Sequence, residues 1–180
     1  MEEKEKLLTS SCSFRQVKPI LADLPYPPTQ VQEKNPHYAG ILGYDYCGQV
    51  SEMSAIMQYI NCENRLALEK CSAARVILGI AMAEMIHLQK LGELITLLGG
   101  TVSFAVRQNN GRMYTWTPEY LNLQDSQGKM IAAGIESEKA AIRQYRMHIK
   151  MIRDPHINAV LSRIIQDEEY HIMLLQALAQ

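Results

Sequence analysis

Apolar side chains recur at helical spacing over most of this 180-residue chain. Asn35-Pro36 suits the start of a helix, because Asn can cap it and Pro fits its first turn. Asp154-Pro155 gives a second start of the same kind, and Gly99-Gly100 is a typical helix end. The pattern predicts four long helices, at approximately residues 36–62, 67 or 72 to 98, 125 or 126 to 153, and 155–180.

Two segments lack this periodicity. Residues 1–35 contain four prolines, which predicts an extended arm lying on the body of the protein or on a partner subunit, with a possible short helix at residues 3–9. Residues 101–124 contain the turn signal Asn109-Asn110-Gly111 and form a long crossover. Three glycines in the first half of the first helix predict a bend or a close helix contact there: Gly40, Gly43 and Gly48.

The connections between the helices indicate how they pack. The polar residues 63–65 permit an antiparallel return, and so does Asp154-Pro155. The long crossover falls between the second and third helices. We therefore predict an all-α fold, an antiparallel four-helix bundle over residues 36–180 preceded by the arm at residues 1–35.

Composition excludes several classes of protein. A formal net charge of −1 gives no general attraction to nucleic acid or to an anionic membrane. The sequence contains no charge-free apolar stretch of about 20 residues, and it therefore predicts no membrane span. The acidic residues 1–11 do not resemble a signal peptide, which favours the cytoplasm. The four cysteines form no CxxC pair, so we expect buried or unreactive thiols rather than a rubredoxin-type or zinc-ribbon site.

A motif with candidate chemistry occurs twice. Glu84 and His87 lie three residues apart in a very apolar helix, and Glu168 and His171 repeat that spacing. Residues three apart share one helix face, where a carboxylate and an imidazole can bind one metal ion. Each pair is preceded by a Glu followed seven residues later by a Tyr: Glu52 and Tyr59, then Glu138 and Tyr145. The offsets between the halves are 138 − 52 = 86 and 168 − 84 = 84.

The bundle would bring these groups into its interior. Four ionised carboxylates in a dry core are very costly unless something compensates their charge. Two divalent cations balance four carboxylates, and ferritin-like di-metal proteins use one Glu from each of two helices and Glu-x-x-His from the other two.

On these motifs, residues 36–180 resemble the ferritin-like superfamily, in particular its rubrerythrin, bacterioferritin and manganese-catalase branches. The stretch NPHYAGILGYDYCGQVSEMSAIMQY is also similar in character to the first helix of manganese catalases and their spore-coat relatives. The resemblance implies two iron or two manganese ions. It makes Glu84 and Glu168 bridging ligands and Glu52 and Glu138 terminal ones, with one imidazole, His87 or His171, on each metal. It also places Tyr59 and Tyr145 in the catalytic site, as hydrogen-bond donors to carboxylates.

The chain departs from the family pattern in its outer contacts. Rubrerythrins have an additional carboxylate one turn from the third-helix ligand, and no such residue lies one turn from Glu138. Asp167 precedes Glu168, where it could orient a metal-bound imidazole or face solvent, but Ala83 holds the matching place before Glu84. Three further histidines have no partner spacing and are expected to be ordinary surface residues: His37, His148 and His156.

The resemblance implies an oxidoreductase acting on hydrogen peroxide or dioxygen. The first hypothesis is peroxide reduction or disproportionation of the peroxidase or catalase type. The alternatives are an iron-oxidising protein of the ferroxidase type and a structural, spore-coat-like assembly protein whose metals hold the bundle together.

We also predict a homodimer or a larger homo-oligomer, because an arm without internal periodicity needs a surface to lie on. Sedimentation of the full chain and of a chain beginning at Asn35 tests this prediction. A monomer in both cases would contradict it.

Overall fold

The computed structural model describes residues 12–14, 16–107 and 111–179, so the possible helix at residues 3–9 lies outside the described part. The described residues form five α-helices, two short strands and one turn of 3-10 helix at Pro118–Tyr120. The helices are α1 (Pro36–Cys47), α2 (Glu52–Leu66), α3 (Cys71–Leu97), α4 (Gln127–Met151) and α5 (Pro155–Leu178), and the strands are β1 (Ala105–Arg107) and β2 (Met113–Thr115).

Two hydrophobic clusters define the packing of the helices. Leu42 of α1 packs in one cluster with Leu94, from the C-terminal half of α3. Tyr59 of α2 packs in the other with Ile77, from the N-terminal half of α3. The earlier helix α1 thus lies beside the end of α3, and the later helix α2 lies beside its beginning. Therefore α1 and α2 together run antiparallel to α3. A short connection joins α4 to α5, so the predicted all-α antiparallel four-helix bundle is confirmed, with α1 and α2 sharing the place of one helix.

The helix predicted at residues 36–62 is interrupted just before α2, and the bend expected from its glycines occurs at Gly48 as a complete break. Gly48 adopts extended backbone angles, φ −74° and ψ −170°. Ser51 caps α2, and its hydroxyl donates to Gly48 O at 2.7 Å. Gln144 of α4 donates to Val50 O at 2.8 Å. These side chains satisfy backbone groups that a continuous helix would bond internally, and α2 therefore begins at Glu52.

The predicted crossover between α3 and α4 contains a ribbon that helical periodicity could not indicate. Strands β1 and β2 pair antiparallel, with Val106 opposite Tyr114. The turn signal is only partly described: Gly111 has the positive φ of +80° that favours glycine, and the two asparagines are outside the described residues. Trp116 then donates its indole N–H to Ser54 Oγ at 3.0 Å, which fastens the crossover to the first turn of α2.

Residues 16–35 of the predicted arm, called the arm below, lie on the chain's own bundle. Ile20 N donates to Gly79 O at 2.9 Å on α3. At its other end Asn35 N donates to Leu98 O at 3.0 Å. The arm therefore follows α3 from its first half to its end. The bundle supplies the surface that the arm needs, and the homo-oligomer stays a prediction.

The expectation of four thiols is wrong for two of them. Cys12 and Cys71 form a disulfide, with a Cα–Cα distance of 5.2 Å, that ties the chain ahead of the arm to the first residue of α3. Cys47 and Cys62 are buried free thiols. Disulfides are uncommon in reducing compartments, so this pair does not support the predicted cytoplasmic location, which stays a prediction.

Helix α3 is apolar enough to cross a membrane by length and composition alone, with a mean hydropathy of 1.5 over 18 residues. Half of that window is buried within the described structure. Its Glu84 and His87 are fully buried between the other helices. The apolar character of α3 thus fits its position in the middle of the bundle.

We predict that Gly48→Ala destabilises the protein by about 1–3 kcal/mol, because the added Cβ would lie 2.6 Å from Tyr44 O. Gly40→Ala is the matched control in α1, where an added Cβ meets nothing within 4 Å. It should instead stabilise the fold by roughly 0.5–1 kcal/mol. Urea unfolding of both variants measures the difference, and equal effects would contradict the assigned role of Gly48.

Candidate metal centre

The structure brings all six predicted ligands together in the middle of the bundle. The carboxylate at the first residue of α2 faces one on α4, and the two Glu-x-x-His pairs project inward from α3 and α5. None of these side chains is more than 3% exposed. They are Glu52, Glu84, His87, Glu138, Glu168 and His171.

Their ligand atoms form two groups, and within each group all lie within 4.8 Å of one another. Both groups contain Glu84 and Glu168. The first group adds Glu52 and His87, and the second adds Glu138 and His171. This placement matches two adjacent metal positions with two shared carboxylates, and the role of each residue as a ligand remains a prediction.

The hydrogen bond of His171 shows which ring nitrogen faces the centre. Its Nε2 lies 2.8 Å from Ile20 O, and a carbonyl can only accept, so Nε2 carries the proton. In the neutral ring, Nδ1 then presents a lone pair to Glu84 Oε1 at 3.1 Å. That carboxylate oxygen has no hydrogen-bond donor among the described residues. Two lone pairs at this distance require a cation or an extra proton between them.

His87 is oriented in the same way by a different partner. Its Nε2 lies 3.1 Å from Asp167 Oδ2, and its Nδ1 lies 2.8 Å from Glu84 Oε2. Burial alone would raise the pKa of Asp167, but hydrogen bonds from His87, Arg163 and Tyr26 lower it to about 2. The ionised carboxylate therefore accepts from Nε2, and Nδ1 is left for the centre. The sequence left open whether Asp167 orients an imidazole or faces solvent. The structure decides this, because Asp167 is buried and contacts His87 rather than solvent.

The electrostatics of the cluster also call for cations. Burial, with the charges of Glu84 and Glu168, raises the pKa of Glu138 to about 8 and that of Glu52 well above its usual value. Burial would lower the pKa of His87, but Glu168 and Glu84 raise it strongly. Without cations, only protons neutralise the buried negative charge. Metal ions take over that role and release protons when they bind.

The residues therefore fit a pair of metal ions. Four carboxylates and two imidazoles, all with lone pairs directed at a common centre, suit iron or manganese. The cofactor is a di-metal centre of Fe or Mn.

The two predicted tyrosines connect the halves of the centre crosswise. Tyr59 of α2 donates its hydroxyl to Glu138 of α4, and Tyr145 of α4 donates to Glu52 of α2. Both rings are 2% exposed. The tyrosines thus contact the proposed terminal carboxylates and hold them in place.

Sequence reasoning missed a second buried polar group, and its expectation of a surface position for His148 is wrong. His148 is 5% exposed, and its Nδ1 lies 2.7 Å from Asp45 Oδ2. Gln144 donates to Asp45 Oδ1 at 2.8 Å. No spacing signal could reveal this pair, because its members are 103 residues apart.

A small cavity connects this polar group with the centre. The cavity has a volume of about 10 Å³, roughly the room that one bound water needs. Its lining combines groups from the α1–α2 break and α4 with the ligand carboxylates, among them Asp45, Ser51, Gln144, Tyr145, Glu52, Glu84, Glu138 and Glu168.

A comparison with protein families fits this geometry. The sequence model of the rubrerythrin family matches residues 49–179, which include all six ligand candidates. The chain belongs to the rubrerythrin family. The match to the rubrerythrin family begins at residue 49, so neither the arm nor α1 is part of the matched region.

Individual relatives of this rubrerythrin-family chain are more distant. A probable manganese catalase from Clostridium acetobutylicum is 24% identical in an alignment that covers 82% of this chain and 72% of that protein. KatB, a manganese catalase from Anabaena PCC7120, superimposes with a TM-score of 0.75 at 24% identity, over 87% of this chain and 78% of that one. Rhodobacter capsulatus bacterioferritin gives 0.67 at 18% identity, over 82% and 86%. These structural likenesses establish the ferritin-like fold.

We predict that chelation lowers the melting temperature by roughly 5–10 °C, since ligand at 100 times its dissociation constant contributes about 2.7 kcal/mol. Replacing Glu84 and Glu168 together with Ala should abolish metal uptake and this shift, because both groups lose their shared carboxylates. Calorimetry with metal analysis measures both.

Glu169→Ala is the matched control. That neighbour of Glu168 is 52% exposed, pairs with Arg146 and should keep both metals. A melting temperature that does not respond to chelation would contradict the proposed coupling between the centre and the fold.

Proposed function

We propose that this chain is a di-iron or di-manganese oxidoreductase that reduces or disproportionates hydrogen peroxide. The observation that carries the proposal is the pair of buried ligand groups sharing Glu84 and Glu168. The manganese-catalase names of the Clostridium acetobutylicum and Anabaena relatives support it.

A pair of iron or manganese ions that changes between the +2 and +3 states supplies the two electrons that peroxide chemistry exchanges. In disproportionation, two peroxide molecules give one dioxygen and two waters, and no outside reductant is needed. Reduction alone converts one peroxide, two protons and two electrons into two waters and requires an electron donor. The two modes therefore differ in whether dioxygen forms.

The size of the cavity supports a small substrate. A volume of about 10 Å³, roughly that of one bound water, leaves no room for an organic substrate and restricts the centre to very small molecules. Asp45 and Gln144 line this space outside the ligand set. Burial raises the pKa of Asp45, while its contacts with His148 and Gln144 act in the opposite direction.

The remaining groups keep the first coordination shell rigid. The hydroxyls of Tyr59 and Tyr145 fix Glu138 and Glu52. One turn from Glu138 along α4, Ala141 and Ile142 provide no carboxylate that could move onto a metal. A fixed shell favours metals that stay bound and change oxidation state in place.

A ferroxidase-type activity is the second candidate, and the bacterioferritin neighbour favours it. A ferroxidase that feeds an iron store must let its iron leave, whereas a peroxide enzyme keeps its metals through many turnovers. Metal retention during the reaction therefore separates the two candidates.

We predict that manganese- or iron-loaded protein consumes many equivalents of hydrogen peroxide without releasing metal. His87→Ala and His171→Ala should each lower the rate of peroxide consumption at least tenfold. Loss of a contact that only supports a metal ligand already costs about 10–100-fold, and loss of a ligand should cost no less. Peroxide consumption, dioxygen evolution and free metal are recorded in the same sample.

His37→Ala is the control for these variants, because His37 is an exposed residue of α1 and lies outside the centre. Metal released in step with peroxide would support the ferroxidase candidate instead. Metal-loaded protein that consumes no peroxide at all would leave a structural role for the centre.

A further inference from the structure

We propose that the arm completes the metal centre by positioning both imidazoles, so that retention of each metal ion depends on a different arm residue. The inference rests on the metal centre of the proposed function but not on its peroxide chemistry. The internal repeat places one Glu-x-x-His pair in each half. The repeat alone does not position the group that accepts a hydrogen bond from the Nε2 atom of either imidazole.

His171 depends on the arm directly. Its Nε2 donates to Ile20 O at 2.8 Å, a backbone group that no side-chain motif could indicate. Asp167, in the same half as His171, accepts from His87 of the other half, whereas the side chain of Ala83, at the matching place before Glu84, cannot accept a hydrogen bond from His171. The arm thus supplies the acceptor that the repeat lacks.

Gly79 allows the arm to lie close enough to α3. Ile20 N donates to Gly79 O at 2.9 Å. A Cβ at Gly79 would lie 2.7 Å from Ile20 Cγ1 and 3.1 Å from Lys18 O. An added Cβ would displace the Ile20 side chain and crowd the backbone at Lys18, so we expect the arm, with Ile20 O, to shift away from His171.

His87 depends on the arm through Asp167, and the arm supplies two of the donors that hold this carboxylate. Ala22 N donates to Oδ1 and Tyr26 OH donates to Oδ2, each at 2.6 Å. Arg163 pairs with Oδ1 at 2.6 Å. With these donors in place, Oδ2 is directed at His87 Nε2 at 3.1 Å.

Arg163 also fixes the arm itself. It donates to Ala22 O at 2.8 Å and to Leu24 O at 3.1 Å, and its guanidinium lies 4.5 Å from the centroid of the Tyr26 ring. Tyr26, Asp167 and Arg163 therefore form one unit between the arm and α5. Tyr26 and the Ile20 backbone are positioning groups, since they act on the metals only through the two imidazoles.

The first test uses Tyr26→Phe in the full chain loaded with two manganese ions. The variant keeps the ring on Arg163 but removes one of the donors to Asp167. Release of manganese to excess chelator should then be about tenfold faster, or more, for one of the two ions, since outer contacts commonly contribute 10–100-fold to metal affinity. Tyr44→Phe is the matched control, because its hydroxyl donates to Arg107 O outside the centre.

The second test uses Gly79→Ala, which should accelerate release of the other manganese ion through loss of the His171 contact. Gly128→Ala in α4 is its control, because an added Cβ there meets nothing within 4 Å. The melting temperature of each metal-free variant is measured alongside, since a merely structural effect would lower it without selecting one ion.

Selective acceleration of a different ion by each variant supports the inference. Release at the wild-type rate in both variants would overturn it, and so would equal acceleration of both ions accompanied by a lower melting temperature of the metal-free protein. Wild-type protein that takes up no manganese would overturn the inference together with the centre. Wild-type protein that binds two ions but consumes no peroxide would contradict the proposed function and leave this inference standing.

Discussion

The structure depends on one electrostatic constraint, the burial of four carboxylates and two imidazoles in a common core. Charges in a dry interior are tolerated only when hydrogen bonds and opposite charges compensate them. Here the tyrosine hydroxyls bond two of the carboxylates, and the lone pairs of the two imidazoles turn inward. The remaining negative charge is what a metal pair neutralises, and for this reason we expect metal binding to stabilise the fold.

This constraint explains the internal symmetry of the chain. Each half supplies one Glu-x6-Tyr and one Glu-x-x-His segment, and each tyrosine reaches the carboxylate of the opposite half. Each terminal carboxylate thus takes its tyrosine hydrogen bond from the other half. The crosswise bonds therefore require that α2 and α4 face each other across the centre.

The surroundings of the centre are not symmetric. Asp167 supports one imidazole and the arm backbone supports the other. The α1–α2 break occurs on one side only, where Gln144 bonds both Val50 O and Asp45 and where the cavity reaches the carboxylates. Two chemically similar metal positions thus acquire different outer contacts, and the small cavity lies on the side of the break.

The sequence alone predicted the candidate ligands and determined the bundle, because both follow from local periodicity: residues three or seven apart on a helix share a face wherever that helix packs. It could not predict contacts between distant segments without periodicity. The disulfide joins residues 59 apart, Asp45 and His148 are 103 apart, and Ile20 and His171 are 151 apart. The glycines indicated a bend but not a complete break before Glu52, since the Ser51 cap competes with a continuous helix only when Gln144 of α4 bonds the freed backbone. Tertiary packing decided these features, because it alone brings such groups within hydrogen-bonding distance.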